Sequence, residues 1–198
     1  MPNPEPPTEV VHRPDEAFAE ATNVRQFMRE YGIESYEDLI ERTTTDVGGE
    51  PDSGVDWFWD EIVDYLGIDF FEEYDTVRDD SDGPQFTDWY PGGELNAAYN
   101  VLDRHAAREN GARNHAAIIW EGELGTTRTY TFHDLHREAN QVANYLESVG
   151  VDTGDTVGLY MPMVPEVASI LYGCLKVGAI AVPIFSGFGV DATATRIA

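Results

Sequence analysis

The sequence predicts an α/β protein with two parts, an N-terminal helical extension and the beginning of a larger domain built on a parallel sheet. Between residues 24 and 66, apolar residues recur at helical spacing, and no strand-like run separates them. Residues 156–185 instead follow the order strand, helix, strand, which is the pattern of a parallel crossover. Two β-prone runs, 116–120 and 128–132, flank a glycine-bearing turn and predict a hairpin before this crossover.

The first part is predicted to follow a leader. Residues 1–20 open with a stretch rich in Pro and Glu that lacks the apolar core of a secretion signal, and we expect them to be disordered. The spacing of apolar residues then predicts a helix that ends near Gly32 and a second helix that begins at Ser35. A capping box that begins at Ser53 predicts the start of a third helix, which Gly67 ends.

The second part is predicted to contain further helices around the hairpin and the crossover. Residues 93–106 carry apolar side chains on one helical face, and Thr131 is predicted to begin a helix that ends before Gly150. The remaining predicted elements are a strand at 156–160, a helix entered through Pro162 and Pro165 and ended by Gly178, a strand at 181–185, and a helix that begins near Asp191.

The composition limits the possible partners and the compartment. The 37 acidic and 12 basic residues give a net charge of -25, which repels nucleic acid and anionic membranes. Lys176 is the only lysine, and this bias together with the acidity predicts a protein adapted to concentrated salt, as in a halophilic cytoplasm. Cys174 is the only cysteine, which excludes an internal disulfide, and its place among apolar helix positions predicts a buried, unreactive thiol. No apolar run reaches membrane-spanning length.

Two unusual runs carry the most specific information. They are Asp88-Trp89-Tyr90-Pro91-Gly92-Gly93-Glu94-Leu95-Asn96-Ala97-Ala98-Tyr99-Asn100 and Tyr160-Met161-Pro162-Met163-Val164-Pro165-Glu166. Together they resemble the front end of the AMP-forming acetyl-CoA (short-chain acyl-CoA) synthetases, and the likeness is nearly continuous from about Trp89 to Ile197. The resemblance implies that residues 21–88 form the N-terminal extension of that family and that residues 89–198 form the first part of its AMP-binding, adenylate-forming domain, incomplete at the C-terminus.

The resemblance also implies a chemistry. Such enzymes join a small carboxylic acid to coenzyme A through an acyl-adenylate and use ATP and Mg²⁺. In the family, the phosphate-binding loop and the catalytic lysine follow the region that this chain resembles. We therefore expect the chain alone to be inactive and to need a C-terminal part. An alternative is a non-catalytic module that docks on another polypeptide. A dinucleotide-dependent oxidoreductase is disfavoured, because no G-x-G-x-x-G run follows the strand at 156–160.

A candidate ligand site follows the strand at 181–185. Ligands bind at the carboxyl ends of parallel strands, and a glycine there allows the backbone to approach a ligand closely. A Phe-Gly-Gly-Phe stretch of the family contributes to the coenzyme A pocket, so the resemblance points to Phe185, Ser186 and Gly187 as coenzyme A contacts. Ser186 stands where the common residue is glycine. The same residues also fit a plain strand-to-helix turn, and the sequence leaves both interpretations open.

No catalytic residue and no metal ligand is predicted within the chain. His133 and His136 are spaced as metal ligands on a helix can be, but no third ligand lies near them in the sequence. Leu135 and Ala139 mark the buried face of that helix, so both histidines are predicted to face solvent.

Overall fold

The computed structural model describes residues 12–45 and 54–197. The predicted helices and strands occur in the predicted order, and a short helix at 16–20 and a short strand pair, 78–79 with 88–89, were not predicted. The helices are α1 (Glu16–Glu20), α2 (Asn23–Glu30), α3 (Tyr36–Thr44), α4 (Gly54–Leu66), α5 (Arg104–Ala106), α6 (Phe132–Ser148), α7 (Glu166–Lys176) and α8 (Val190–Ile197). The strands are β1 (Arg78–Asp79), β2 (Asp88–Trp89), β3 (Ala116–Glu121), β4 (Thr127–Thr131), β5 (Thr156–Met161) and β6 (Ile180–Phe185).

The chain divides into two compact units. The first comprises the residues up to 68 together with 76–91, and the second comprises 69–75 together with the residues from 92 onward. The sequence predicted a single boundary between residues 88 and 89. The segment 69–75 instead joins the second unit because its backbone forms a β-bridge, in which the Glu94 N–H donates to the Glu72 carbonyl at 2.9 Å.

The first unit has its own core among α2, α3 and α4. Thr22 caps α2 by accepting a 3.3 Å hydrogen bond from the Arg25 N–H, and Ser35 caps α3 through a 3.0 Å bond from the Asp38 N–H. The predicted capping box at Ser53 lies outside the described residues. The buried core consists of Phe27, Met28, Ile33, Leu39 and Trp57.

The predicted disordered leader differs from the structure where the described residues begin. Glu16–Glu20 form the short helix α1, and Asp15 caps it by accepting a 2.8 Å hydrogen bond from the Phe18 N–H. Because α1 buries none of its residues, the aspartate cap rather than packing fixes its start. Residues 1–11 lie outside the described part of the chain.

The helical face predicted for residues 93–106 forms, but it contains a wider turn than an α-helix. Ala98 and Leu102 are fully buried, whereas Tyr99–Asp103 adopt π-helical geometry. This turn also accommodates Asn100, an amide that is only 8% exposed. Its side chain accepts a 2.8 Å hydrogen bond from the Asp69 N–H and donates a 2.9 Å bond to the Asp69 carbonyl. Apolar spacing carries no signal for a buried amide of this kind, so the sequence predicted a regular helix.

The structure confirms the hairpin and the parallel crossover. Strands β3 and β4 pair antiparallel, and a bulge lies between Ala116 and Ile118. Strands β5 and β6 pair in parallel over their whole lengths, and α7 connects them. The helices α6 and α7 approach closely at Gly173, where a Cβ atom would lie 2.5 Å from Val142 Cγ1. The buried core beside the strands consists of Leu146, Leu159, Cys174 and Ala179.

The start of α6 is fixed by a capping box. The Thr131 hydroxyl accepts a 3.1 Å hydrogen bond from the Asp134 N–H, and the Asp134 carboxylate accepts a 3.2 Å bond from the Thr131 N–H. The Thr131 hydroxyl also donates to this carboxylate at 2.7 Å, which is the main reason that the pKa of Asp134 is lowered.

Glycines end α6 and α7, as predicted. Gly150 and Gly178 adopt positive φ angles of 86° and 72°, a region that disfavours residues with a Cβ atom. The N–H groups of Val151 and Ala179 then bond back to the carbonyls of Leu146 and Cys174 at 3.0 and 2.9 Å, which completes a Schellman motif at each helix end.

Candidate functional site

The candidate site lies in the second unit, at the edge where β5 and β6 end. The last parallel pair joins Met161 to Phe185, so the two strands end side by side. Residues 162–165, the β5 loop, and residues 186–189, the β6 loop, therefore leave the sheet from the same edge. The carboxyl edge of a parallel sheet is where open α/β folds bind ligands.

The backbone of the β6 loop is held from the neighbouring strand. The Tyr160 hydroxyl lies 3.1 Å from the Ser186 carbonyl oxygen and 2.9 Å from the Phe188 carbonyl oxygen, and it shares its proton between them. The Phe188 N–H donates to the Phe185 carbonyl at 3.0 Å, which closes a turn around Ser186 and Gly187. These contacts fix the course of the loop from within the second unit.

Gly187 is required by the packing of its own loop. A Cβ atom at this position would lie 2.5 Å from Cε1 of the Phe185 ring. The same ring contacts Phe188 edge-on, with the two centroids 5.4 Å apart. A larger residue at position 187 would therefore displace the Phe185 ring.

The side chains at this edge combine apolar surface with one cation. Met163, Phe185 and Val190 are 85%, 67% and 86% exposed, so this edge presents apolar side chains to solvent. The guanidinium carbon of Arg196 lies 4.2 Å from the centroid of the Phe188 ring, so a positive charge lies beside the β6 loop. Such a surface suits a ligand that has both an apolar segment and anionic groups.

The structure places the three predicted site residues together at this edge. Phe185 ends β6, and Ser186 and Gly187 lie in the β6 loop, all of them exposed. Their role as coenzyme A contacts stays a prediction. Sequence reasoning missed the role of Tyr160, because a contact between a strand residue and a loop 26 or 28 residues later has no local signature. It also missed Arg196, whose contact with Phe188 depends on how α8 leaves the β6 loop.

The prediction that both histidines face solvent was wrong. His133 and His136 are half-buried, because that side of α6 packs against neighbouring turns. Arg113 Nη2 lies 2.8 Å from His133 Nδ1. Asn140 donates to His136 Nε2 at 2.9 Å, which leaves the Nδ1–H of His136 to donate to Asp103 at 2.7 Å. Both rings are thus used within the fold.

Asp103 links this histidine to the only lysine of the chain. The Lys176 ammonium group contacts the same Asp103 oxygen that His136 contacts, and the Lys176 side chain is only 11% exposed. This network fastens the C-terminal end of α7 to the π-helical turn. Among residues 12–45 and 54–197, no three His, Cys, Asp or Glu side chains are grouped so that they could hold a metal ion.

The thiol of Cys174 is buried, as predicted. Its residue is fully inaccessible, and burial raises the pKa of the thiol. In the described part of the chain, no helix is long and apolar enough to cross a membrane.

Comparison with known protein families matches two successive regions of the chain. Residues 103–198 match the family model of the AMP-binding enzymes. Residues 36–101 match a second model, described as the acetyl-coenzyme A synthetase N-terminus. The two matches follow each other along the chain in the order expected of one enzyme. The chain therefore belongs to the AMP-forming acetyl-CoA synthetase family, of which it matches the N-terminal portion.

Individual relatives agree with this assignment. An acetyl-coenzyme A synthetase of Deinococcus radiodurans is 44% identical over 142 residues, which are 72% of this chain and 21% of that protein. A relative of the same name from Wolinella succinogenes is 36% identical over 186 residues, 93% of this chain and 26% of that protein. This chain thus spans about a quarter or less of their lengths.

A solved structure shows the same fold. The acetoacetyl-CoA synthetase from Streptomyces lividans matches with a TM-score of 0.78 and 23% identity, over 93% of this chain and 28% of that chain. The predicted fold class, α/β with part of the adenylate-forming domain, is therefore confirmed.

Proposed function

We propose that this chain provides the N-terminal portion of a synthetase that activates a small carboxylic acid, with acetate as the first candidate. The complete enzyme converts the carboxylate and ATP to an acyl-adenylate and pyrophosphate, and coenzyme A then displaces AMP. ATP, coenzyme A and Mg²⁺ are its cofactors. The observation that carries this proposal is the match to two consecutive family models over residues 36–101 and 103–198.

Within this enzyme, Phe185, Ser186 and Gly187 contact coenzyme A. Three features support the assignment: the residues lie at the carboxyl edge of a parallel pair, they are exposed, and Arg196 supplies a cation beside them. Coenzyme A has an apolar pantetheine arm and several phosphates, which suits the exposed apolar side chains and the guanidinium group at this edge.

The test compares two glycines of the same loop in the complete synthetase. Gly187→Val places a side chain where a Cβ atom alone would lie 2.5 Å from the Phe185 ring, whereas a Cβ atom on Gly189 would meet nothing within 4 Å. We expect Gly187→Val to raise the KM for coenzyme A roughly tenfold and to leave the KM for ATP unchanged. Gly189→Val is the matched control, because it adds the same side chain to the same loop, and it should change neither value. An unchanged KM for coenzyme A in Gly187→Val would reject the site.

The isolated chain is proposed to be catalytically inactive and to need the C-terminal part of the enzyme. Adenylation requires backbone N–H groups and cations that hold the ATP phosphates, and the proposed site of that chemistry lies in other segments of the enzyme. Acetate-dependent exchange of radiolabelled pyrophosphate into ATP measures the first half-reaction directly. The isolated chain should give no exchange above background, and clear exchange would contradict this proposal.

We further propose a salt-rich cytoplasm as the working environment. At a net charge of -25, self-repulsion weakens the compact state at low ionic strength, and salt screens it. The thermal midpoint should therefore rise steeply between 0.1 and 2 M KCl. A midpoint that is independent of salt would remove the support for a halophilic source.

A further inference from the structure

The β5 loop contains few contacts that could fix its own shape. Pro162 and Pro165 lack N–H groups, and the Val164 N–H donates only to the Pro162 carbonyl, at 2.8 Å. Met163, at the middle of the loop, has an exposed side chain, so packing does not hold it. Pro165 is buried, so packing anchors the end of the loop that joins α7, whereas the part around Met163 depends on contacts from outside the loop.

The hairpin supplies one such contact through Trp120. The indole Nε1–H of Trp120 donates to the Met163 carbonyl at 2.9 Å, across 43 residues of sequence. The indole ring lies against Gly122, where a Cβ atom would come within 2.5 Å of the ring carbon Cη2. Any side chain at position 122 would thus move the ring that holds the loop.

Arg128 supplies a second contact from the same face of the hairpin. It pairs with Trp120 across the two strands, and its guanidinium carbon lies 4.8 Å from the centroid of the indole ring. Its two terminal nitrogens bind the two carboxylate oxygens of Glu166 at 2.7 and 3.3 Å. Glu166 is the first residue of α7 and directly follows the β5 loop, so this two-pronged ion pair holds the loop at its C-terminal end.

These contacts are too exposed to serve mainly for stability. The side chains of Arg128 and Glu166 are 39% and 45% exposed, and ion pairs in such surroundings stabilise a fold only slightly. The arrangement instead restricts the orientation of the β5 loop, because a two-pronged ion pair and an indole hydrogen bond both act on this short segment. That loop lies at the proposed ligand-binding edge.

We propose that Trp120, Arg128 and Glu166, together called the loop clamp, are positioning residues that hold Met163 as an apolar wall of the coenzyme A site. In this arrangement Met163 faces the apolar arm of coenzyme A from the β5 loop, and Phe185 faces it from the end of β6. The clamp residues do not touch the ligand and act through the loop. This inference rests on the proposed function, because it takes coenzyme A as the ligand.

The kinetic test uses the complete synthetase. Arg128→Met and Glu166→Gln each break the two-pronged Arg128–Glu166 pair, and Trp120→Phe removes the indole hydrogen bond while it keeps an aromatic ring beside Arg128. We expect the KM for coenzyme A to rise roughly tenfold in each variant, while the KM for ATP stays constant and the thermal midpoint moves by no more than about 2 °C. The exchanged pair, with Arg128→Glu and Glu166→Arg together, should recover part of the loss.

A matched control separates the clamp from a general effect of charge. Arg137 pairs with Asp134 at 3.9 Å on the exposed side of α6, so Arg137→Met makes the same change of charge away from the β5 loop. Its KM for coenzyme A should equal that of the wild type. An unchanged KM in the clamp variants, or an equal rise in Arg137→Met, would overturn the positioning role.

A second measurement keeps this inference distinct from the proposed function. In the 198-residue chain, the indole N–H signal of Trp120 is assigned by its loss in Trp120→Phe, and its exchange with solvent is measured by NMR. Arg128→Met should accelerate this exchange, and an unchanged rate would overturn the clamp itself. A complete protein that forms no acyl-CoA with any small acid would instead reject the proposed function, whatever the indole exchange shows.

Discussion

Removal of the only lysine tests the network at the C-terminal end of α7. Lys176 is 11% exposed and pairs with Asp103, which is 23% exposed and also accepts a hydrogen bond from His136. Lys176→Met keeps the length of the side chain but leaves Asp103 with one partner. Asp103→Asn leaves an ammonium group in a nearly closed site without its counter-charge. The two variants therefore perturb the same contact from opposite sides.

The expected magnitudes follow from this burial. Removing one partner of a fully buried ion pair destabilises a fold by about 3–5 kcal/mol, and the partial exposure here reduces that figure. We expect a loss of about 2 kcal/mol for Lys176→Met and about 3 kcal/mol for Asp103→Asn, since the latter leaves the more buried charge unpaired. The double variant should lose about 3 kcal/mol rather than the sum, which gives a coupling energy of about 2 kcal/mol.

Cys174 provides the assay. It is the only thiol, it is fully buried, and it lies two residues before Lys176 in α7. Brief alkylation across a urea series therefore reports the opening of this helix in the second unit alone. Arg137→Met, which removes an exposed ion pair, is the control and should not change the urea concentration at which Cys174 becomes reactive. Additive losses in the double variant, with a coupling below about 0.5 kcal/mol, would refute the reasoning.

Two further predictions concern helix ends. Gly150→Ala places a Cβ atom in open space at positive φ and should destabilise the chain by about 1 kcal/mol. In Gly178→Ala the new Cβ atom would also lie 2.8 Å from Thr153 Oγ1, so urea titration should show a loss of stability about 1 kcal/mol larger than that of Gly150→Ala. Equal losses in the two variants would contradict this contact. Thr131→Ala should cost about 1 kcal/mol at neutral pH, because it removes the cap of α6. Because folding lowers the pKa of Asp134, its charged form stabilises the fold above the unfolded pKa, and this stabilisation is lost as pH falls through the folded pKa. The difference in unfolding free energy between wild type and Thr131→Ala should therefore shrink in acid. A difference that stays constant with pH would exclude the contribution of Asp134.

Local signals in the sequence were sufficient for most of the fold. Apolar spacing predicted α2, α3 and α4, and glycines predicted the ends of α6 and α7 at residues 150 and 178. The parallel pair was predictable because strand, helix and strand follow within thirty residues, a spacing that leaves few other arrangements. Such features depend on neighbours in sequence, which a single chain displays directly.

The parts that were not predictable depend on contacts between distant residues. The π-helical turn accommodates Asn100, whose partner Asp69 lies 31 residues earlier. The half-buried position of His136 depends on its hydrogen bond to Asp103, and the sequence of α6 contains no signal for that contact. In each case a polar side chain, rather than an apolar one, decided the outcome.

The candidate site was predictable only in part for the same reason. Phe185, Ser186 and Gly187 could be proposed because they follow a predicted strand and match a Phe-Gly-Gly-Phe stretch of the family that they resemble. Trp120 and Arg128 were not, because the sequence shows them only as members of a β-prone hairpin. Their contacts with Met163 and Glu166 can be predicted only when both the register of the hairpin and the direction of β5 are known.

The burial of Lys176 also limits the chemistry by which this polypeptide can be altered. Acylating reagents and the enzymes that acetylate or ubiquitinate lysine need a free, accessible amine, and the only ε-amine of the sequence is nearly inaccessible and already paired with a carboxylate. An N-hydroxysuccinimide dye should therefore leave Lys176 unlabelled in the folded chain and label it once urea has unfolded the protein.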